Sequence, residues 1–173
     1  MSNSRVFFLL ALFVLAAAGS WFFLSQKYRS GIGDHLTVYY TKLDGTTEVA
    51  WSVSMRPQTR GESGAEHLQN AALYAAVQAV AGPPSTVQAV RFPAGTVVKT
   101  LHVTGSNADV DLSSAVNSST GSFDESGEFK ALVWTLTGLP ELQSVSIRVE
   151  GQRIDALPGG HLELDKPLRR SDW

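Results

Sequence analysis

Val97-Val98-Lys99-Thr100-Leu101-His102-Val103-Thr104, then Gly105-Ser106-Asn107, then Ala108-Asp109-Val110-Asp111-Leu112: the fold turns on this stretch. Its first arm is rich in β-branched residues, its middle in turn formers, and its second arm alternates, with Val110 and Leu112 on one face and Asp109 and Asp111 on the other. That pattern predicts a strand, a tight turn and a second strand, with one face of the hairpin toward a core.

Upstream, Ser63-Gly64-Ala65-Glu66 has capping-box spacing and predicts a helix start. Leu68, Ala71, Ala72, Ala75 and Ala79 recur at helical intervals, and Leu73, Val77 and Val80 widen the apolar surface, so this helix is expected to be well buried. Gly82-Pro83-Pro84 ends it. Earlier still, Leu36 to Thr41, the turn signal Asp44-Gly45 and Glu48 to Ser54 predict another hairpin, with Val49, Trp51 and Val53 on its core face. Downstream, Ser113 to Gly121 has loop composition, and Ser122 with Glu125 suggests a second capping box. Phe129, Leu132, Val133 and Leu136 form the stripe of a second helix, which Gly138-Leu139-Pro140 stops. Val145, Ile147 and Val149 then alternate in a last long strand. Past Gly151 the signals fade, apart from a turn at Leu157-Pro158-Gly159-Gly160.

Near the N-terminus, Val6 to Leu24 are nineteen uncharged residues, enough for a helix to cover nearly the hydrocarbon thickness of a bilayer. A cleaved signal peptide is the rival reading, with Arg5 as its basic end and Ala16-Ala17-Ala18, or Ala18 with Ser20, as the small-residue cleavage pattern. The apolar run continues through Trp21, Phe22, Phe23 and Leu24, and Trp21 and Tyr28 suit a membrane-interface belt, which favours an anchor. Residues 1–34 are therefore expected to be a transmembrane anchor (span about 6–24) with a short tether, and residues 35–173 one domain.

With 14 basic and 16 acidic side chains there is no cationic stripe for a phosphate backbone, so nucleic acid is not an expected partner. No cysteine is present, which excludes disulfides, thiolate nucleophiles and Cys-ligated metal. His35, His67, His102 and His161 are too far apart in sequence for a short metal-ligand motif. No serine sits in Gly-x-Ser-x-Gly and no glycine-rich loop ends in Lys-Ser or Lys-Thr. Asp109 and Asp111 have a spacing that suits a cation or acid/base pair. The structural reading is stronger: Asp109 on a solvated face, Asp111 accepting amide hydrogen bonds as the chain turns at Ser113-Ser114. Trp51 and Trp134 are expected in the core, while Trp173 is open to a surface role. No catalytic, cofactor-binding or metal-binding residue is assigned.

Ala79-Val80-Ala81-Gly82-Pro83, Phe92-Pro93-Ala94-Gly95-Thr96 and Ala108-Asp109-Val110-Asp111-Leu112-Ser113-Ser114 together resemble motifs of the GerM domain family, named for sporulation and spore germination proteins. Val133 to Pro140, Val145 to Gly151 and Pro167-Leu168-Arg169-Arg170-Ser171-Asp172-Trp173 are similar to later parts of the same domain, so the resemblance spans about residues 36 to 173. The order of strand and helix signals itself suggests an open α+β sandwich, and the resemblance implies one GerM-like domain with a mixed or antiparallel sheet and two helices packed on one face; the apolar N-terminal run places one transmembrane helix before it. The resemblance also implies a non-catalytic module at the cell membrane, single-pass, with its C-terminal domain extracytoplasmic, related to ring-building modules and found near cell-wall remodelling. Many relatives have a cysteine lipid anchor, and some a second domain or a propeller; this sequence shows neither. The expected role is an envelope adaptor or assembly module whose partner is another envelope protein or cell-wall material. The alternative is a peptidoglycan- or ligand-binding accessory domain for a cell-wall amidase, with tyrosine and tryptophan as stacking platforms; a hydrolase ranks last.

Overall fold

The computed structural model describes residues 15–16, 31–46, 48–119 and 121–173. The predicted span 6–24 lies outside these apart from Leu15 and Ala16, as does most of the tether. Among the described residues no helix is long and apolar enough to cross a membrane.

Among the described residues from Gly31 onward, six strands and two α-helices follow in the order β1 (His35–Thr41), β2 (Glu48–Ser54), α1 (Gly64–Ala81), β3 (Val98–Thr104), β4 (Asn107–Leu112), α2 (Ser122–Leu136), β5 (Ser144–Val149) and β6 (Gln152–Arg153). The fold is α+β, but its strands form two sheets rather than one. β1 and β2 make an antiparallel ribbon, and β3-β4-β5-β6 make a mixed sheet in that order. β3 and β4 are antiparallel around Gly105-Ser106, where Gly105 has φ 58°. β4 and β5 are parallel, because the chain between them crosses over through a short 3-10 turn, Ser114–Ser118, and α2. Val116 of that turn is buried, so this predicted loop is packed structure.

The capping box of α1 forms as expected: Glu66 N–H donates to Ser63 Oγ at 3.1 Å and Ser63 N–H to Glu66 Oε2 at 2.8 Å. Ala71, Ala72, Ala75, Ala76 and Ala79 are all buried, and their small side chains let α1 approach β3, β1 and α2. Leu73 and Val77, expected to extend that buried face, are instead 37% and 41% exposed, one turn apart on the solvent side.

The second expected capping box does not form. Gly121 is the N-cap of α2, and Glu125, buried, turns away to accept the Leu162 N–H at 3.1 Å. α2 is also not confined to one sheet face. It packs on β1, α1 and β5, and Gly127, Phe129, Ala131, Leu132, Val133, Thr135 and Leu136 are buried around its whole circumference. Gly127 is needed for this: a Cβ there would lie 3.0 Å from Val90 Cγ2, in the segment that hooks onto β1 through Val90 N–H to Thr41 O at 2.8 Å.

On the ribbon the core belongs to β1, where Leu36, Val38 and Tyr40 are buried. Val49, Trp51 and Val53 face the same side as these three in the register of the pair. Yet Trp51 is 38% exposed and the two valines only half-buried, because the helices pack on β1 and β2 overhangs them.

Side chains close two strand edges. Tyr39 N–H donates to Thr135 Oγ1 at 2.9 Å, and that hydroxyl lies 3.4 Å from Tyr39 O, so α2 seals the edge of β1 away from β2. Gln69 of α1 does the same for β3: its Nε2 donates to Leu101 O at 2.6 Å and its Oε1 accepts Val103 N–H at 2.8 Å. A glutamine amide has the donor and acceptor spacing of a peptide group, so it substitutes for a neighbouring strand.

Candidate functional site

Asp109 and Asp111 are both committed to the sheet. Asp109 takes a forked pair of bonds from Arg148 of the parallel neighbour β5, Nε to Oδ1 at 2.9 Å and Nη2 to Oδ2 at 2.9 Å. The same carboxylate raises the Arg148 pKa, through the hydrogen bond first and its charge second. Asp111 is buried and its Oδ1 accepts Gly151 N–H at 2.7 Å. The partner is thus the β5–β6 turn across the sheet, not the Ser113-Ser114 turn expected from sequence. Ser114 N–H is instead held by Glu150 Oε1 at 2.7 Å, and Glu150 also pairs with Lys99. Lys99, followed by the Ser114 amide, holds the Glu150 carboxyl below its usual range. These ties fix Glu150 in a left-handed conformation, φ 53°, that a non-glycine residue rarely adopts.

The histidines do not converge. His35 pairs with its neighbour Asp34, His102 is exposed on β3 and His161 is exposed on the C-terminal segment. His67 is fully buried, its Nδ1 3.4 Å from Glu62 Oε2 outside hydrogen-bonding geometry. Among the described residues no group of three or more His, Asp or Glu side chains is placed to hold a metal ion.

An open cleft of about 520 Å³ lies at the start of α1, lined by Thr59, Gly61, Glu62, Glu66, Gln69 and Asn70. Its central carboxylate, Glu62, accepts Arg56 Nη1 at 2.8 Å and Nη2 at 2.6 Å, Thr59 N–H at 3.0 Å and Asn70 Nδ2 at 2.9 Å. Arg56, then the Thr59 amide, hold the Glu62 carboxyl well below the usual carboxylate range. A carboxylate so strongly ionised, and already neutralised by a guanidinium, is poorly matched to proton transfer near neutral pH.

The densest constellation is a clasp formed by the C-terminal segment over α2. Leu168 bridges to Val145 through N–H···O bonds of 2.8 and 2.9 Å. Arg170 donates Nε to Thr137 Oγ1 at 2.8 Å and Nη2 to Trp134 O at 2.7 Å, while its guanidinium lies over the rings of Trp134 (5.0 Å) and Tyr39 (5.4 Å). Lys130 lies 5.6 Å from the Trp134 ring and pairs with Glu48 of β2 at 2.8 Å, in surroundings that leave each side chain 10% exposed. Trp173 Nε1 donates to Ser126 Oγ at 3.1 Å. Trp134 is therefore half-buried inside the clasp rather than in the core, and Trp173 is a latch rather than a free surface group.

The sequence patterns do not single out Gln69, Thr135 or Lys130, and Arg170 enters there only as part of the Pro167 to Trp173 stretch. Gln69 and Thr135 had a signal, each being a polar residue beside buried positions of its helix: Leu68 and Ala72, and Val133 and Leu136.

Against known proteins, residues 37–155 match the family model Germane, described as sporulation and spore germination. No curated protein matches significantly. Among solved structures, the tandem GerMN domains of the sporulation protein GerM from Bacillus subtilis superpose with a TM-score of 0.60 at 22% identity, covering 80% of this chain. The chain spans only 46% of that structure. The first GerMN domain alone superposes at 0.56 with 24% identity, covering 80% of this chain and 98% of the domain. A Clostridium perfringens protein classed as a candidate lipoprotein gives 0.54 at 21% identity, covering 80% and 88%. At these identities the superpositions speak to fold alone, but the family model covers well over half of the sequence, and on that ground this chain belongs to the Germane family of sporulation and spore germination domains.

Proposed function

We propose that this protein is a non-catalytic assembly module held at the outer face of the cell membrane by residues 6–24, where it acts as an adaptor for another envelope protein. The observation that carries this reading is that the domain holds Gly31 and Ile32, close behind the apolar run 6–24. Ile32 packs on the core, and the Gly31 backbone runs beside Pro140, whose Cγ would lie 3.9 Å from a Cβ there. From Leu24 to Gly31 the chain can reach at most about 25 Å, so an anchored domain would stay within its own diameter of the bilayer. Confinement of that kind raises effective concentration and lets weak contacts suffice. The family and the lipoprotein relationship of the Clostridium perfringens protein fit the same location.

The test uses the full chain with a C-terminal tag. Recovery in the membrane fraction, tag digestion by protease added outside intact protoplasts, and co-purification of a defined envelope protein are expected. Recovery from the aqueous fraction, or protection of the tag, would sink the anchored reading, and capture by purified peptidoglycan alone would replace the adaptor with a wall-binding role.

A further inference from the structure

Among the described residues, each long strand at a sheet border has a seal except one. β1 is closed by Thr135, β3 by Gln69, and β6 is two residues long. β2 is seven residues, and among the described residues no side chain or backbone group hydrogen-bonds to the main chain of Ala50 or Ser52 along its outer border. The direction of those groups follows from the register. Tyr39 directs both its N–H and C=O away from β2, toward Thr135, so the Tyr39–Ala50 pair is a non-hydrogen-bonded one. In an antiparallel ladder its partner must also point outward, and so must every second residue: Glu48, Ala50, Ser52 and Ser54. Thr41 O, directed to Val90 N–H, fits the same alternation. Ala50, Trp51 and Ser52 are exposed. The strand contains no proline or lysine, and its one charge, Glu48, is held by Lys130. Among the described residues, none of the usual devices that keep a strand border from pairing is present.

We propose that this border takes β2 of a second copy of the same chain, antiparallel and centred on Trp51. The sequence selects the occupant. Val49-Ala50-Trp51-Ser52-Val53 is nearly the same read in either direction, valine outermost, a small residue next, tryptophan in the middle. About a two-fold axis at Trp51, Ala50 of one copy meets Ser52 of the other with their outward N–H and C=O groups matched. Val49 meets Val53, Trp51 meets Trp51, and Glu48 faces Ser54 instead of another carboxylate. The valines and Trp51 share the face of Val38, so pairing covers the apolar surface that β2 leaves overhanging. The result is a four-stranded ribbon and a closed, isologous dimer. The inference does not depend on the anchor, although confinement to a membrane would favour it.

The natural sequence has no cysteine, so one introduced thiol reports a single position. Opposed residues at a non-hydrogen-bonded site have Cα atoms about 4.5 Å apart, within disulfide range. Full-length Trp51→Cys should form a covalent dimer on mild oxidation, at least ~10-fold faster than full-length Val97→Cys, an exposed position near β3. Adding Ser52→Pro removes an N–H that points away from β1, so it should abolish the cross-link while the circular dichroism spectrum and melting temperature hold. A second pair guards against misfolding at proline: Trp51→Lys and Trp51→Glu should each sediment as monomers alone and dimerise when mixed. Cross-linking at 51 no faster than at 97, cross-linking indifferent to Ser52→Pro in a folded protein, or no pairing of the mixed charge variants would overturn the proposal.

Discussion

Replacing Glu128 by glutamine should change stability at pH 8 and leave it nearly unchanged at pH 4. Glu128 is 2% exposed on α2, with Ser119 Oγ 2.8 and 2.9 Å from its two oxygens. Burial, reinforced by the charges of Asp124 and Glu125 and opposed by the Ser119 hydrogen bond, pushes its pKa from 4.5 up to about 7. The folded state therefore holds this proton more tightly than the unfolded chain, and between pH 4.5 and 7 stability falls as pH rises. Below pH 4.5 both states are protonated and nothing is lost; above pH 7 the whole cost of an ionised buried carboxylate is present. A shift of that size corresponds to at most about 3.4 kcal/mol, and water penetration around a charged side chain should reduce it to ~1–3 kcal/mol. Glutamine keeps a neutral acceptor for Ser119 and cannot ionise. Urea titrations of wild type and Glu128→Gln at half-unit steps from pH 4 to 8.5 should show the difference opening in favour of the variant across that window. Two curves that stay parallel throughout would refute the assignment, because a packing effect alone does not titrate.

Other changes probe the clasp and the seals. Arg170→Lys retains a charge but loses the planar fork on Thr137 and Trp134 and the stacking on two rings, so a loss of ~1–2 kcal/mol in chemical denaturation is expected, with altered near-ultraviolet dichroism. Lys130→Met leaves the Glu48 carboxylate unpaired in a nearly buried setting and should cost ~3–5 kcal/mol, recovered in large part by adding Glu48→Gln. Asp111→Ala orphans the Gly151 amide and should cost ~1–3 kcal/mol, whereas Asp109→Ala removes a more exposed ion pair and should cost under ~1 kcal/mol; equilibrium denaturation separates them.

The legible parts of the fold were those fixed by local chemistry. The β3–β4 hairpin needs only alternation and turn residues, and the cap of α1 only serine and glutamate at the right spacing. Ser122 and Glu125 have that spacing too, yet Leu162, 37 residues downstream, competes for the same carboxylate and wins. Trp51 has the alternation of a core position, but whether a strand face is covered depends on where the helices end, which periodicity does not encode. Leu73 and Val77 were misread for the same reason: an alanine face this well packed leaves them on the outer side of α1. The clasp is less legible still, since Arg170 meets Tyr39 only because the C-terminal segment and the first strand are both adjacent to α2.

The handling of strand borders connects stability to assembly. Gln69 and Thr135 each satisfy two main-chain groups that would otherwise offer pairing sites, and each does so from a helix that is itself locked into the core. The open border of β2 is therefore selective: a strand arriving at β3 must first displace a glutamine making two bonds, while one arriving at β2 meets no bonded group among the described residues. Gln69→Leu should invert this. It keeps the side-chain bulk but frees Leu101 O and Val103 N–H, so beyond a loss of ~1–3 kcal/mol it should create a second competent border, on the other sheet. A chain with two such borders can propagate instead of closing. Light scattering of Gln69→Leu should then show growth beyond the dimer, and Ser52→Pro in the same chain should limit that growth to pairs.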